Sequence, residues 1–157
     1  MSNYGLNKRL ENKVAIITGA GGAIAGFSAK LFAAHGAKVV ATDLDLVSVQ
    51  KIVEEIKAEG NEAIALKHDV TSENDWENVI STAVKNYGKL DILANVAGYH
   101  IASPITDIQS ISLKEWDQHL AINLSSVFLG IKRSEVEMQK NKYGSIINIS
   151  SVAALKG

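Results

Sequence analysis

Short apolar runs alternate along this chain with segments whose apolar residues recur at helical spacing, and that alternation constrains the fold more than any other feature. The runs are VAIIT from Val14, KVVATD from Lys38, AIALKHDV from Ala63, LDILANVAG from Leu90 and GSIINISS from Gly144. Between them, Ala23 to Ala34 reads as a helix closed by Gly36, and Val47 to Glu59 as a second, with Val49, Ile52, Val53 and Ile56 on one face and Gly60 as its stop. Ser72 followed by Asp75 predicts a capping box opening a helix to about Tyr87. Ser112 followed by Glu115 predicts another, whose helix carries Leu113, Trp116, Leu120, Leu124, Val127 and Ile131 on one stripe.

Strict β–α alternation, with strands apolar on both faces, implies a parallel sheet with helices on each side. The expected fold is α/β, a doubly wound Rossmann-type sandwich of about five strands, with a flavodoxin-like five-stranded sheet as the alternative. At 157 residues the chain predicts one domain spanning 1–157. A chain this long removes roughly 70% of its unfolded surface from water.

The formal charge of −1 leaves no electrostatic footprint for nucleic acid or an anionic membrane, so neither is an expected partner. Cysteine is absent, which excludes disulfides and thiolate metal sites. His35, His68, His100 and His119 show no metal-ligand spacing, and no metal is expected. The leader MSNYGLNKRLENK has no apolar core, and Ser2 removes a myristoylation signal. No run approaches the length of a membrane span, so the cytoplasm is the expected location.

The stretch TGAGGAIAG, Thr18 to Gly26, joins the first strand to the first helix. A helix start offers free N–H groups and the positive end of its dipole, and glycine lets a pyrophosphate approach without a Cβ in the way. Asp43 ends the second strand 24 positions after Gly19, where an acidic residue hydrogen-bonds an adenosine ribose. Asp45 is the better placed of the two to cap the next helix. This pairing of glycines and acid selects the Rossmann alternative.

From KVAIITG to SIINISSVAAL the chain resembles the short-chain dehydrogenases/reductases. The family's cofactor motif is Thr-Gly, three residues, then Gly-x-Gly. Thr18 and Gly19 match it, while Ala23 and Ala25 stand at the later glycines with Gly21, Gly22 and Gly26 beside them. The resemblance implies that Gly19, Gly22 and Ile24 bind the cofactor and that Asp69 and Val70 contact its adenine. It implies that Asn95 and Gly98, in NVAG, line the cofactor and brace the central strands. It also implies crowding of the pyrophosphate by the Ala25 methyl group.

Catalysis implied by the resemblance is hydride transfer between a nicotinamide and a small-molecule carbonyl or alcohol. A Tyr serves as general acid/base, a Lys four residues later lowers its pKa, a Ser polarises the carbonyl, and an Asn positions a water relay. Asn123 matches the Asn, although its place on the apolar stripe equally suits a hydrogen-bonded core amide. Ser151 matches the Ser, although a serine here also suits a turn cap. The Tyr and Lys are expected about a dozen residues past Ser151. Tyr4 and Lys8 have the spacing but precede the first strand, and are read as a chance match.

The chain is therefore expected to be the N-terminal part of an NAD-dependent oxidoreductase, with the later strands and the acid/base missing. The alternative is a non-catalytic nucleotide-binding or interaction module. NAD is expected over NADP, because Asp43 repels a 2′-phosphate and DLDLVSV holds no Arg or Lys. The apolar edge SIINIS and the stripe after Ser112 predict self-association, with a homo-oligomer as the expected assembly.

Overall fold

In the computed structural model, residues 8–99 and 108–151 are described. Five strands, β1 (Val14–Thr18), β2 (Lys38–Asp43), β3 (Ala63–Lys67), β4 (Ile92–Asn95) and β5 (Ser145–Asn148), form one sheet in the order β3-β2-β1-β4-β5. All neighbours pair in parallel; Ile17 pairs with Ala41 on one side and Ala94 on the other. That order is the first five strands of the Rossmann arrangement and differs from the flavodoxin-like order.

Period-two alternation sends each central strand's side chains to two separate cores. On one face Ile17, Val39, Ala41 and Ala94 pack under α1 (Ala23–Ala34) and α2 (Leu46–Ala58). On the other, Val14, Ile16, Val40 and Leu93 pack under α3 (Glu73–Tyr87), whose Trp76 is wholly buried, and α5 (Ser126–Lys140). Helix α1 meets the sheet through Ala25, Ala29 and Ala33, small residues four apart that let the helix lie close.

Three local expectations need correction. Ser72 does cap α3, accepting from the Asp75 N–H, but the Asp75 carboxylate accepts from the Asp69 N–H instead of closing a box on Ser72. Ser112 and Glu115 form a full reciprocal box at α4 (Leu113–Leu120). The helix behind them is not continuous: a π turn, Ala121–Ser125, separates α4 from α5. A π turn inserts one residue and rotates the register. The expected stripe accordingly divides, and no residue of α4 is buried. Leu113 is 74%, Trp116 51% and Leu124 64% exposed, while Leu129 of α5 enters the core. Strand β5 is exposed along its length, so the description of strands as apolar and covered on both faces fails there.

Candidate nucleotide-binding site

Because every strand runs the same way, the carboxyl ends of β1, β2, β3 and β4 bring the candidate residues to one edge of the sheet. Thr18 closes β1. Its hydroxyl oxygen accepts from the N–H groups of Val96 and Ala97, both at 3.0 Å, which draws the turn after β4 onto the turn after β1. Gly19 has φ +73°, and a Cβ there would stand 2.8 Å from the Ala97 Cα. Only glycine meets both demands.

Gly22 is the N-cap of α1, with no side-chain cap and no acidic residue in the first turn. The positive end of the helix is therefore left to solvent or to an anion. Ala23 and Ile24 are exposed beside it. Ala25 is not: it is 2% exposed and belongs to the sheet-facing core, so its methyl group packs inward.

Asp43 accepts from the Gly21 N–H through Oδ2 and from the Asp45 N–H through Oδ1, each at 3.0 Å. A Cβ on Gly21 would lie 3.0 Å from that Oδ2, so the bare backbone is what lets the turn settle on the carboxylate. An ionised carboxylate has about four acceptor positions, so two remain for ribose hydroxyls. Asp45 has the other role, capping α2 through the Val47 and Ser48 N–H groups. Its carboxyl is held below the ordinary range by its hydrogen bonds to Ser48.

Beyond β3, the Asp69 carboxyl accepts from the hydroxyl and N–H of Thr71, which hold it below the usual carboxylate range. The Val70 carbonyl accepts from the Trp76 indole N–H at 2.8 Å. His68, one residue before Asp69, is fully buried, with Nδ1 2.9 Å from the Thr42 hydroxyl and its ring edge-on to Trp76. Burial pushes its imidazole from the ordinary 6.5 down to about 4, against the pull of Asp75 and Asp69. Sequence reasoning treated His68 only as a metal ligand to be discounted, and gave no role to Thr42 or Trp76. The one signal was position, and only for Thr42 and His68, which flank the ends of β2 and β3.

Asn95 is buried at the end of β4, donating through Nδ2 to the Asn148 side chain of β5 at 2.9 Å. Gly98 follows, with the Asn123 amide oxygen 3.3 Å from where its Cβ would be. Asn123 sits in the π turn and holds the Tyr99 backbone at both ends: Oδ1 accepts from the Tyr99 N–H and Nδ2 donates to the Tyr99 carbonyl, each at 2.9 Å. The half-buried amide is satisfied, and its partner is the loop after β4 rather than the core. Ser151 is exposed just beyond β5, at the same edge of the sheet. Tyr4 and His100 lie outside the described residues.

Among the described residues no group of three His, Asp or Glu could hold a metal, and no helix is long and apolar enough to cross a membrane. Concavities of about 480 Å³ beside Tyr143 and about 470 Å³ between α3 and α5 are lined by none of the candidate residues.

Strand order and the glycine-rich turn after β1 define a Rossmann-type α/β fold. Within that class the chain belongs to the short-chain dehydrogenase family, whose model matches residues 13–157. It is 41% identical over 147 residues to 2,5-dichloro-2,5-cyclohexadiene-1,4-diol dehydrogenase of Sphingobium indicum, covering 94% of this chain and 58% of that one. It is 40% identical over 146 residues to the mitochondrial borneol dehydrogenase of Lavandula x intermedia, covering 93% and 54%. The crystal structure of gox2181 superposes with a TM-score of 0.89 at 30% identity, covering 97% of this chain and 58% of that one. The chain thus spans a little over half the length of these relatives.

Proposed function

We propose that this chain is the cofactor-binding part of an NAD-dependent oxidoreductase that moves hydride between nicotinamide and a carbonyl or secondary alcohol. The observation that carries the reading is Asp43 docked on the Gly21 N–H beside the uncapped start of α1. Such a pair binds a ribose diol and a pyrophosphate together, and the same carboxylate repels a 2′-phosphate, favouring NAD over NADP. The bound nicotinamide supplies the hydride donor or acceptor.

In this reading Gly19, Gly22 and Ile24 flank the pyrophosphate, Asp69 and Val70 flank the adenine, and Asn95 and Gly98 line the central part of the cleft. Asn123 fixes the Tyr99 backbone at the cleft's edge, and Ser151 donates to the substrate oxygen. Neither an amide nor an aliphatic hydroxyl exchanges a proton readily at neutral pH. The acid/base therefore comes from a Tyr–Lys pair beyond these residues, and the 157-residue chain by itself is catalytically incomplete.

Both relatives named above are dehydrogenases of ring-borne alcohols, which supports a cyclic secondary alcohol or ketone as substrate. Trp116, Leu124 and Phe128, exposed along α4, the π turn and α5, support a homo-oligomer. A cytoplasmic location completes the reading.

Calorimetric titration with NAD and NADP tests it. The chain is expected to bind NAD more tightly, and Asp43→Asn to erase most of the difference. NADP binding equal to or tighter than NAD by the unmodified chain refutes the assignment. Turnover of cyclohexanol by the purified chain, surviving Tyr4→Phe, refutes its catalytic incompleteness.

A further inference from the structure

A line of contacts runs from the glycine turn across the ends of β2 and β3 to α3, and His68 stands at its centre. The Thr42 carbonyl accepts from the Ala20 N–H at 2.9 Å, and the Asp43 carbonyl accepts from the His68 N–H at 2.8 Å. The Thr42 hydroxyl and His68 Nδ1 are 2.9 Å apart. The His68 ring meets Trp76 edge-on, centroids 4.4 Å apart at 88°, and Trp76 in turn holds the Val70 carbonyl. On one side of the imidazole is the strand end that carries Asp43; on the other is the segment that carries Asp69 and Val70.

Stability alone does not explain a histidine here. The residue is 1% exposed, and Nε2 has no hydrogen-bond partner among the described residues. A buried polar atom left unpaired destabilises, and an apolar side chain in its place would not. The charged groups facing the ring are Asp69 on its own segment and Asp75 on α3, and both favour protonation. Burial outweighs them, so the ring stays neutral through the neutral range and keeps a single partner in Thr42.

We propose that His68 is a positioning residue for the nucleotide: bonded to Thr42 of β2 and packed on Trp76 of α3, it sets the separation between the Asp43 wall and the Asp69–Val70 wall of the adenosine site. It touches no ligand itself. The inference rests on the dinucleotide reading above and adds to it the element that spaces the adenosine half.

The test is ADP-ribose binding, measured by calorimetry at pH 7.5 on this chain and on His68→Leu, His68→Asn and Thr42→Val, well below each thermal midpoint. His68→Leu and Thr42→Val are each expected to weaken ADP-ribose about tenfold, the loss of one structuring hydrogen bond. His68→Asn, whose amide can occupy the Nδ1 position, is expected to stay within about threefold of the unmodified chain. A residue with a merely structural role would lower the midpoint and leave affinity per folded molecule unchanged. Folded His68→Leu and Thr42→Val that bind within about twofold of the unmodified chain overturn the proposal, as does an Asn variant no better than Leu. Should His68→Leu not fold, Thr42→Val, which removes only a hydroxyl, carries the same decision. If the unmodified chain binds no ADP-ribose, the dinucleotide reading fails and this inference fails with it. If it binds and the variants match it, His68 alone is refuted.

Discussion

Acidification should destabilise this fold through His68, beginning near pH 6.5. Folded, the imidazole takes up a proton only near pH 4; unfolded, it does so near 6.5. Above 6.5 both states hold the ring neutral, and it contributes nothing to the pH dependence. Between 6.5 and 4 the unfolded chain binds the extra proton, so stability falls as pH falls, by up to about 1.4 kcal/mol per unit. Below 4 both states are protonated and the loss stops growing. A difference of this size integrates to about 3 kcal/mol, a large part of the 5–15 kcal/mol that holds a typical domain together. Most of that window lies above the carboxylates: Glu73 and Glu115, held low by their hydrogen bonds to Arg133 and Ser112, begin to lose their contribution only below 4.5. Asp69 also favours the folded state when ionised, but its contribution is lost only below its unfolded value of 3.8. The assay is urea unfolding at pH 7.5, 6.5, 5.5 and 4.5, in the unmodified chain and in His68→Asn. The unmodified chain should lose about 2 kcal/mol by pH 4.5, and the Asn variant should lose little. A flat profile in the unmodified chain refutes the reasoning, and so does an equal fall in the variant, which would move the titration to another group.

Three further outcomes follow from the geometry of the cleft. Gly19→Ala combines a left-handed φ of +73° with a Cβ 2.8 Å from the Ala97 Cα, and should destabilise by about 2–4 kcal/mol; an unchanged urea midpoint counts against the cradle as described. Thr18→Val leaves the Val96 and Ala97 N–H groups without their acceptor, and should cost about 2–3 kcal/mol and weaken NAD binding in calorimetry; a neutral variant would mean that water replaces the hydroxyl. Ala25→Gly removes a buried methyl group and a good helix former, and should cost about 1–2 kcal/mol without tightening NAD; a gain in affinity would put the methyl group back against the pyrophosphate.

What the sequence made legible was local. VAIIT and KVVATD are β1 and β2 to the residue, because a short apolar run between turn signals has few other readings. Asp43 and Asp45, two positions apart, separated correctly into a strand-end acid and a helix cap. What stayed illegible needed a second element to be placed first. The Asp75 carboxylate takes the Asp69 N–H, while the Ser72 N–H donates to the Asp69 carbonyl, and the spacing from Ser72 to Asp75 does not reveal that exchange. The period of the stripe after Ser112 marks a face without saying what covers it, and it cannot reveal the one-residue insertion of the π turn.

The same limit applies more strongly to the site. Thr18 reaches Val96 and Ala97 across 78 and 79 positions, Asn123 reaches Tyr99 across 24, and Thr42 reaches His68 across 26. Each is a polar side chain meeting a loop or a neighbouring strand end, so its partner is set by which elements lie side by side. The motif residues could therefore be named from the chain alone, while their partners depend on topology. The cleft is held by polar contacts between turns laid over an apolar frame. A variant such as Thr42→Val should then disturb binding while leaving β1, β2 and their two cores intact. That separation of binding from folding is what makes the His68 relay testable in a chain of this length.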